Sequence, residues 1–353
     1  MNKIKLGLVN LLIILGVILA GCSTDSNQSI TEKNASETEK DIKYYFTANE
    51  GGSISKINAL TNEVINTIKV EGAVHNVQVS PNGKVLGATV VPEMNDSEHS
   101  HAGESMEMKG NALFFDTDTN KLLKSIEVGN HPAHIVFTED GEEVIVTNNE
   151  DNNISVIETK TFSIIASIDT GKSPHGFRIS SDSKKAYIAN MGEDTVSIID
   201  LKTMKEEKKI KVGNAPVTTG ITTDGRTLVV TLNDENKLAI VDLTTFQVEK
   251  VEVGKGPAQV YIDGSNRYAY VANQGTEEVP SNTVTVVDLN SIKAIATVKT
   301  GKGSHGVVTS SDGKRLYVTN MFEDTVSVID TENNKVIDKI EVGDIPNGIS
   351  IMK

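Results

Sequence analysis

AYIANMGEDTVSIID, residues 186–200, returns as LYVTNMFEDTVSVID at 316–330, and this pair decides the fold. Each copy is a β-branched apolar run, a short acidic turn and a second apolar run, the pattern of two antiparallel strands. Looser copies read VIVTNNEDNNISVIE (144–158), LVVTLNDENKLAIVD (228–242), YYFTANEGGSISKIN (44–58) and the longer AYVANQGTEEVPSNTVTVVD (269–288). A seventh opens as VLGATV at 85–90 and resumes as NALFFDTDT at 111–119.

Between these copies a second segment also recurs, as HPAHIVFTEDGEE, SPHGFRISSDSKK, GSHGVVTSSDGKR and, at the C-terminus, IPNGISIMK. The repeat spacing of about 42 residues is that of a four-stranded propeller blade. Strands can be lettered A (HGFRIS), B (AYIAN), C (TVSIID) and D (KEEKKIKVG). The AYIAN, AYVAN and LYVTN segments, each followed by a TVSVID-type run, resemble the YVTN-type β-propeller repeat over about residues 42–353. The resemblance implies an all-β, seven-bladed propeller of four-stranded antiparallel blades with strand A innermost. Because the chain opens on a B-type strand and ends on an A-type strand, the last strand is expected to complete the first blade and close the ring.

The N-terminus reads as an address. A basic head, the apolar run LVNLLIILGVILA and small residues before the cut form a secretory signal over 1–21. Leu19-Ala20-Gly21-Cys22 resembles a bacterial lipobox, which implies that Cys22 carries a lipid. Residues 22–40 are then a lipidated cysteine and a polar tether too poor in apolar side chains to fold. The propeller is expected over 41–353, with an insertion at about 92–110 in one B-to-C connection, and the protein as a lipid-anchored, extracytoplasmic monomer of the cell envelope. Cys22 is the single cysteine, so a disulfide and a C-x-x-C-H haem attachment are excluded. No glycine-rich nucleotide loop stands out. The net charge of −14, from 34 basic and 48 acidic residues, argues against a nucleic-acid partner.

In a propeller the D-to-A and B-to-C connections share one face. All seven histidines fall there. His75, His131, His134, His175 and His305 lie at or just inside strand A, while His99 and His101 lie in the insertion EHSHAGESMEMKG (98–110) with Met106 and Met108. Aligned on the A-to-B turns, His75, His175 and His305 share one column and are expected to converge on the channel mouth; His134, one position along, is expected to point sideways. Met191 and Met321 open the B-to-C connections of their blades. Imidazole suits copper, zinc, iron and nickel, and thioether favours Cu(I). The expected metal is therefore copper first and zinc second, held by His75, His175 and His305, with His134, His99, His101, Met191, Met321, Met106 and Met108 as further candidates.

Two other readings stand beside this binding module. One is a scaffold without metal that holds a partner protein of the envelope. The other is an enzyme or redox accessory subunit, since propellers of similar appearance serve as lactonases, quinoprotein dehydrogenase subunits and haem d1 domains. No catalytic residue set rises from the sequence, so the enzyme reading ranks below binding.

Overall fold

The computed structural model describes residues 43–92 and 109–353, which are strands, turns and connections without a helix. Cys22, the signal and tether, and His99, His101, Met106 and Met108 of the insertion lie outside the described residues. The described residues form seven four-stranded antiparallel sheets. Blade 1 takes strands Tyr44–Asn49, Ser53–Asn58 and Val64–Lys69, and its inner position is filled by the last strand of the chain, Pro346–Ile351. The innermost strands of blades 2 to 7 are Ala73–Val79, Pro132–Phe137, Pro174–Ile179, Pro216–Ile221, Pro257–Ile262 and Ser304–Thr309. They touch one another in ring order and close on blade 1. This is a seven-bladed YVTN-type β-propeller, closed as the repeat order requires.

The apolar runs are unbroken because both faces of each blade are buried. In blade 4, Ala186 and Ile188 pack toward blade 3, while Tyr187 between them packs toward blade 5. The core is accordingly seven apolar clusters, one in each gap between neighbouring blades. Outermost strands such as Lys205–Lys211 are charged and exposed, which discourages edge-to-edge pairing with other chains.

Two polar residues of the B-strand motif fix how each inner strand begins. The terminal asparagine is buried in blades 1, 3, 4, 6 and 7, as Asn49, Asn148, Asn190, Asn273 and Asn320. The Asn190 amide donates to Ser197 Oγ at 2.9 Å, and its carbonyl accepts the Gly171 N–H at 3.2 Å. Asn320 ties Ser327 and Gly301 in the same way. The glycine belongs to the segment arriving from the preceding blade. A Cβ on Gly171 would stand 2.5 Å from Asn190 Cγ, so no larger residue fits.

The preceding threonine joins blades. Thr89, Thr147, Thr231 and Thr319 each accept a backbone N–H from their own inner strand and donate to a carbonyl of the next one, at 2.7–2.9 Å. Every inner strand also carries a register shift against strand B within its first few residues. Such bulges re-aim side chains. Here they occur where the mouth histidines sit.

Removing the asparagine leaves buried donors and acceptors without partners, at a cost of about 1–3 kcal/mol. Asn190→Ala is expected to lower the urea midpoint accordingly without changing the m-value. A midpoint equal to that of the unsubstituted protein would show that the tie does not hold the blade.

Candidate metal centre

Three histidines of three consecutive blades meet at the mouth. His75 (blade 2), His134 (blade 3) and His175 (blade 4) each bring one ring nitrogen to within 4.8 Å of the others. The ring centroids lie 5.3 Å apart for His75–His175, 5.0 Å for His134–His175 and 6.0 Å for His75–His134. Thr147 holds two of them at once, since its hydroxyl accepts the His134 backbone N–H and donates to the His175 carbonyl, both at 2.9 Å.

Hydrogen bonds assign the tautomers of two rings. Glu50, on the B-to-C connection of blade 1, accepts from His75 Nδ1 at 2.9 Å and from the Asn347 amide at 2.6 Å. Burial pushes the Glu50 carboxyl up, but these bonds and the charge of His75 outweigh it and hold the group at about 2, so it is a carboxylate. His175 Nδ1 donates to the Val217 carbonyl at 3.3 Å. With both Nδ1 atoms protonated, the neutral form of each ring presents a lone pair at Nε2, and the two Nε2 atoms face each other at 3.3 Å.

Facing lone pairs repel unless a cation lies between them. His175 is a poor site for a proton near neutrality, because burial first and the neighbouring His75 and His305 next push it down to about 3. A metal ion suits the spacing: in a tetrahedral site with metal–nitrogen bonds of about 2.0–2.1 Å, the nitrogens stand roughly 3.3–3.4 Å apart. A carboxylate or backbone carbonyl on the far nitrogen is also the usual outer shell of a metal-bound imidazole. His134 adds the third donor. It is buried, neither ring nitrogen has a hydrogen-bond partner among the described residues, and burial holds it neutral, well below the ordinary histidine range.

The remaining candidates divide. His305 shares the His75 column but stays outside the cluster; it is buried, its Nδ1 donates to the Asn347 carbonyl at 3.3 Å, and burial takes it down to about 4. His134, expected to point sideways, enters the cluster. The cause is the bulge: at its position a side chain faces the next blade, as Gly176 shows, where a Cβ would run into Thr218. For His134 the next blade presents His175. The sulfur of Met321 accepts the Gln274 amide at 3.2 Å, and Met191 is exposed. His131 is half exposed at the rim, 3.6 Å from Glu150. Sequence reasoning missed Glu50, Asn347 and Thr147, although Glu50 occupies the repeat position that holds Met191 and Met321 in blades 4 and 7. Farther down the channel lies a cavity of about 410 Å³ with no histidine in its wall.

With this geometry in hand, the relatives can be placed. The choice-of-anchor I domain model matches residues 32–267, and the cytochrome D1 heme domain model matches residues 224–348. The uncharacterized protein YncE of Escherichia coli (strain K12) is 34% identical over 84 residues, which are 24% of this chain and 22% of that protein. The matched part thus spans about a fifth of the curated relative. Kuenenia stuttgartiensis hydrazine synthase superposes with a TM-score of 0.67 at 20% identity, covering 78% of this chain and 89% of that one. A functionally unknown protein from Desulfotomaculum acetoxidans DSM 771 gives 0.71 at 14% identity over 88% and 98% of the two chains. A putative 6-phosphogluconolactonase from Bacteroides fragilis NCTC 9343 gives 0.70 at 14% over 89% and 99%. At such identities the structures share the fold alone.

The heme-domain match prompts a test of fit, and the clustered histidines do not pass it as two imidazoles opposed across one iron. Within 224–348 the single histidine is His305, which is buried. The facing nitrogens of His75 and His175 are 3.3 Å apart, nearer than the roughly 4 Å of two imidazoles opposed across one metal at about 2.0 Å each.

The buried neutral imidazoles also set a pH dependence. Their folded pKa values lie below the unfolded value of 6.5, so the unfolded chain binds more protons on acidification. Their contribution is complete above pH 6.5 and is lost as the pH falls toward 4–3. In metal-free protein the urea midpoint should begin to fall just below pH 6.5, before ordinary carboxylates titrate. A His175→Gln/His305→Gln variant should fall less over that interval. Parallel profiles for the two proteins would contradict neutral burial.

Proposed function

The chain belongs to the choice-of-anchor I domain family, and from that footing we propose that it is a surface-anchored propeller that binds a metal ion at its channel mouth through His75, His134 and His175. The observation that carries this reading is the pair of Nε2 atoms 3.3 Å apart beside a buried His134 that has no partner among the described residues. Glu50 and Val217 would orient the rings from behind, and Glu50 would offset part of the cation's charge. Copper comes first because nitrogen sites bind Cu²⁺ more tightly than other divalent first-row ions; zinc comes second.

Three ligands leave one position of a tetrahedron open. The insertion carrying His99, His101, Met106 and Met108 is the proposed source of the fourth. Its described ends support this. Val91 lies against Gly72, three residues before His75, and Gly110 lies against Pro132, two residues before His134. The family description speaks of an anchor, which supports attachment at the cell surface, and lipidated Cys22 is the anchor we propose. Such a protein would capture or hand on metal outside the cytoplasm.

Metal analysis after dialysis of the purified protein against Cu(I) under reducing conditions, Cu(II) or Zn(II) separately tests the reading. One ion per chain is expected, retained in His305→Ala and lost in His134→Ala. Loss in His305→Ala with retention in His134→Ala would move the site to another set of residues. No retained ion of any kind would overturn metal binding and favour the scaffold.

The outer shell gives a second expectation. Glu50→Gln keeps the side chain's shape but loses its charge, and should weaken the preferred ion about 10–100-fold. Unchanged affinity would remove Glu50 from the site.

A further inference from the structure

The far part of the channel holds an unpaired charge. Arg178 is the fifth residue of the blade 4 inner strand and lines the 410 Å³ cavity, which extends to A-to-B turns such as Ser80-Pro81 and Ser310-Ser311 on the face opposite the histidines. One guanidinium N–H is used, donating from Nη1 to the carbonyl of Phe177 at 2.8 Å. Among the described residues no carboxylate lies within ion-pair distance of it. The two acids in the wall are engaged elsewhere: Glu139 pairs with Lys353 at 3.0 Å, and Asp263 Oδ1 accepts the backbone N–H groups of Arg267 and Tyr268 at 3.1 and 2.9 Å. That pairing also neutralises Lys353, the other cation of the wall.

Arg178 is partly buried, and burial pushes its guanidinium below the ordinary range although Tyr261 and Glu139 in the same wall act the other way. The repeat makes the position singular. The corresponding residues of neighbouring blades are Val136 and Gly220, so the wall beside Arg178 on the blade 5 side carries no side chain. Much of the remaining surface is apolar, with Phe137, Ile179 and Ile262 among its residues. A cavity of this size falls in the range of small-molecule pockets.

We propose that this cavity binds a small organic monocarboxylate, its carboxylate paired bidentately with Arg178 and its apolar body lying against the channel wall. A guanidinium presents two parallel N–H groups that match a carboxylate. A single unpaired positive charge beside apolar side chains suits a monoanion with a hydrocarbon part better than phosphate, whose second charge would meet only Lys353, already paired with Glu139. The site is independent of the metal reading, as it shares no residue with His75, His134 or His175.

Calorimetric titration of the full chain with hexanoate, hexanol and inorganic phosphate tests the proposal. Hexanoate is expected to bind one per chain, with hexanol at least about tenfold weaker. Arg178→Met should lose about tenfold or more for hexanoate. Arg178→Lys, which keeps the charge but not the fork, should fall between. Thermal unfolding and metal content of each variant report whether the ring and the mouth remain intact, and Arg178→Lys carries the test if Arg178→Met does not fold. Hexanoate binding unchanged in the folded variants, none detectable at about 10 mM, or phosphate binding tighter than hexanoate would each overturn the proposal.

Discussion

The buried asparagine at the end of strand B is the contact on which the rest depends. It joins three pieces of chain: its own strand, the serine or threonine of strand C, and the glycine of the segment arriving from the previous blade. Because that glycine is held, strand A begins at a fixed height. His175 and His305 each stand four residues beyond such a glycine, and His134 stands five beyond Gly129, itself bound to Asn148 at 3.0 Å. Placement of His134, His175 and His305 is thus set by an amide that never touches them. Blade 5 shows the rule by departing from it. Leu232 replaces the asparagine there, and a Cβ on Gly213 would meet its methyl at 2.7 Å, so close approach persists while the hydrogen bonds do not.

Charge at the mouth follows from the same layout. Imidazoles sunk between blades lose their hydration and stay neutral, which is the form in which nitrogen coordinates. The carboxylate bound to the cluster, Glu50, belongs to a different blade and reaches His75 across the rim. It stays ionised because His75 and Asn347 both donate to it.

Fold and ring closure were legible because repeats state them many times over. The asparagine and threonine of each YVTN-type segment, the turn after strand A and the strand order at the two ends all point to one architecture. The candidate site was legible by column and only partly by membership. His75 and His175 were recognisable from alignment, but His305 has the same alignment and a different neighbourhood, because the next blade offers it the Asn347 carbonyl and no imidazole. His134 is the converse. Its column faces sideways, and sideways happens to mean toward His175, a relation between blades that no single repeat encodes. Glu50 and Arg178 were hidden for a further reason. Each is a lone charged residue in a column of uncharged ones, and its importance lies in which partners surround it.

The strand Pro346–Ile351 that completes blade 1 has a consequence in time. Its partner, Tyr44–Asn49, is made some 300 residues earlier, so the ring cannot shut until Pro346–Ile351 has emerged. Asn347 lies on that closing strand, and its amide and carbonyl serve Glu50 and His305 respectively. The nascent chain therefore holds His75, His134 and His175 long before it holds the groups that steady the mouth around them. An unfinished molecule is left with a three-stranded blade and two apolar faces uncovered, in the state most exposed to quality control, while the mouth is finished in the same step that seals the ring.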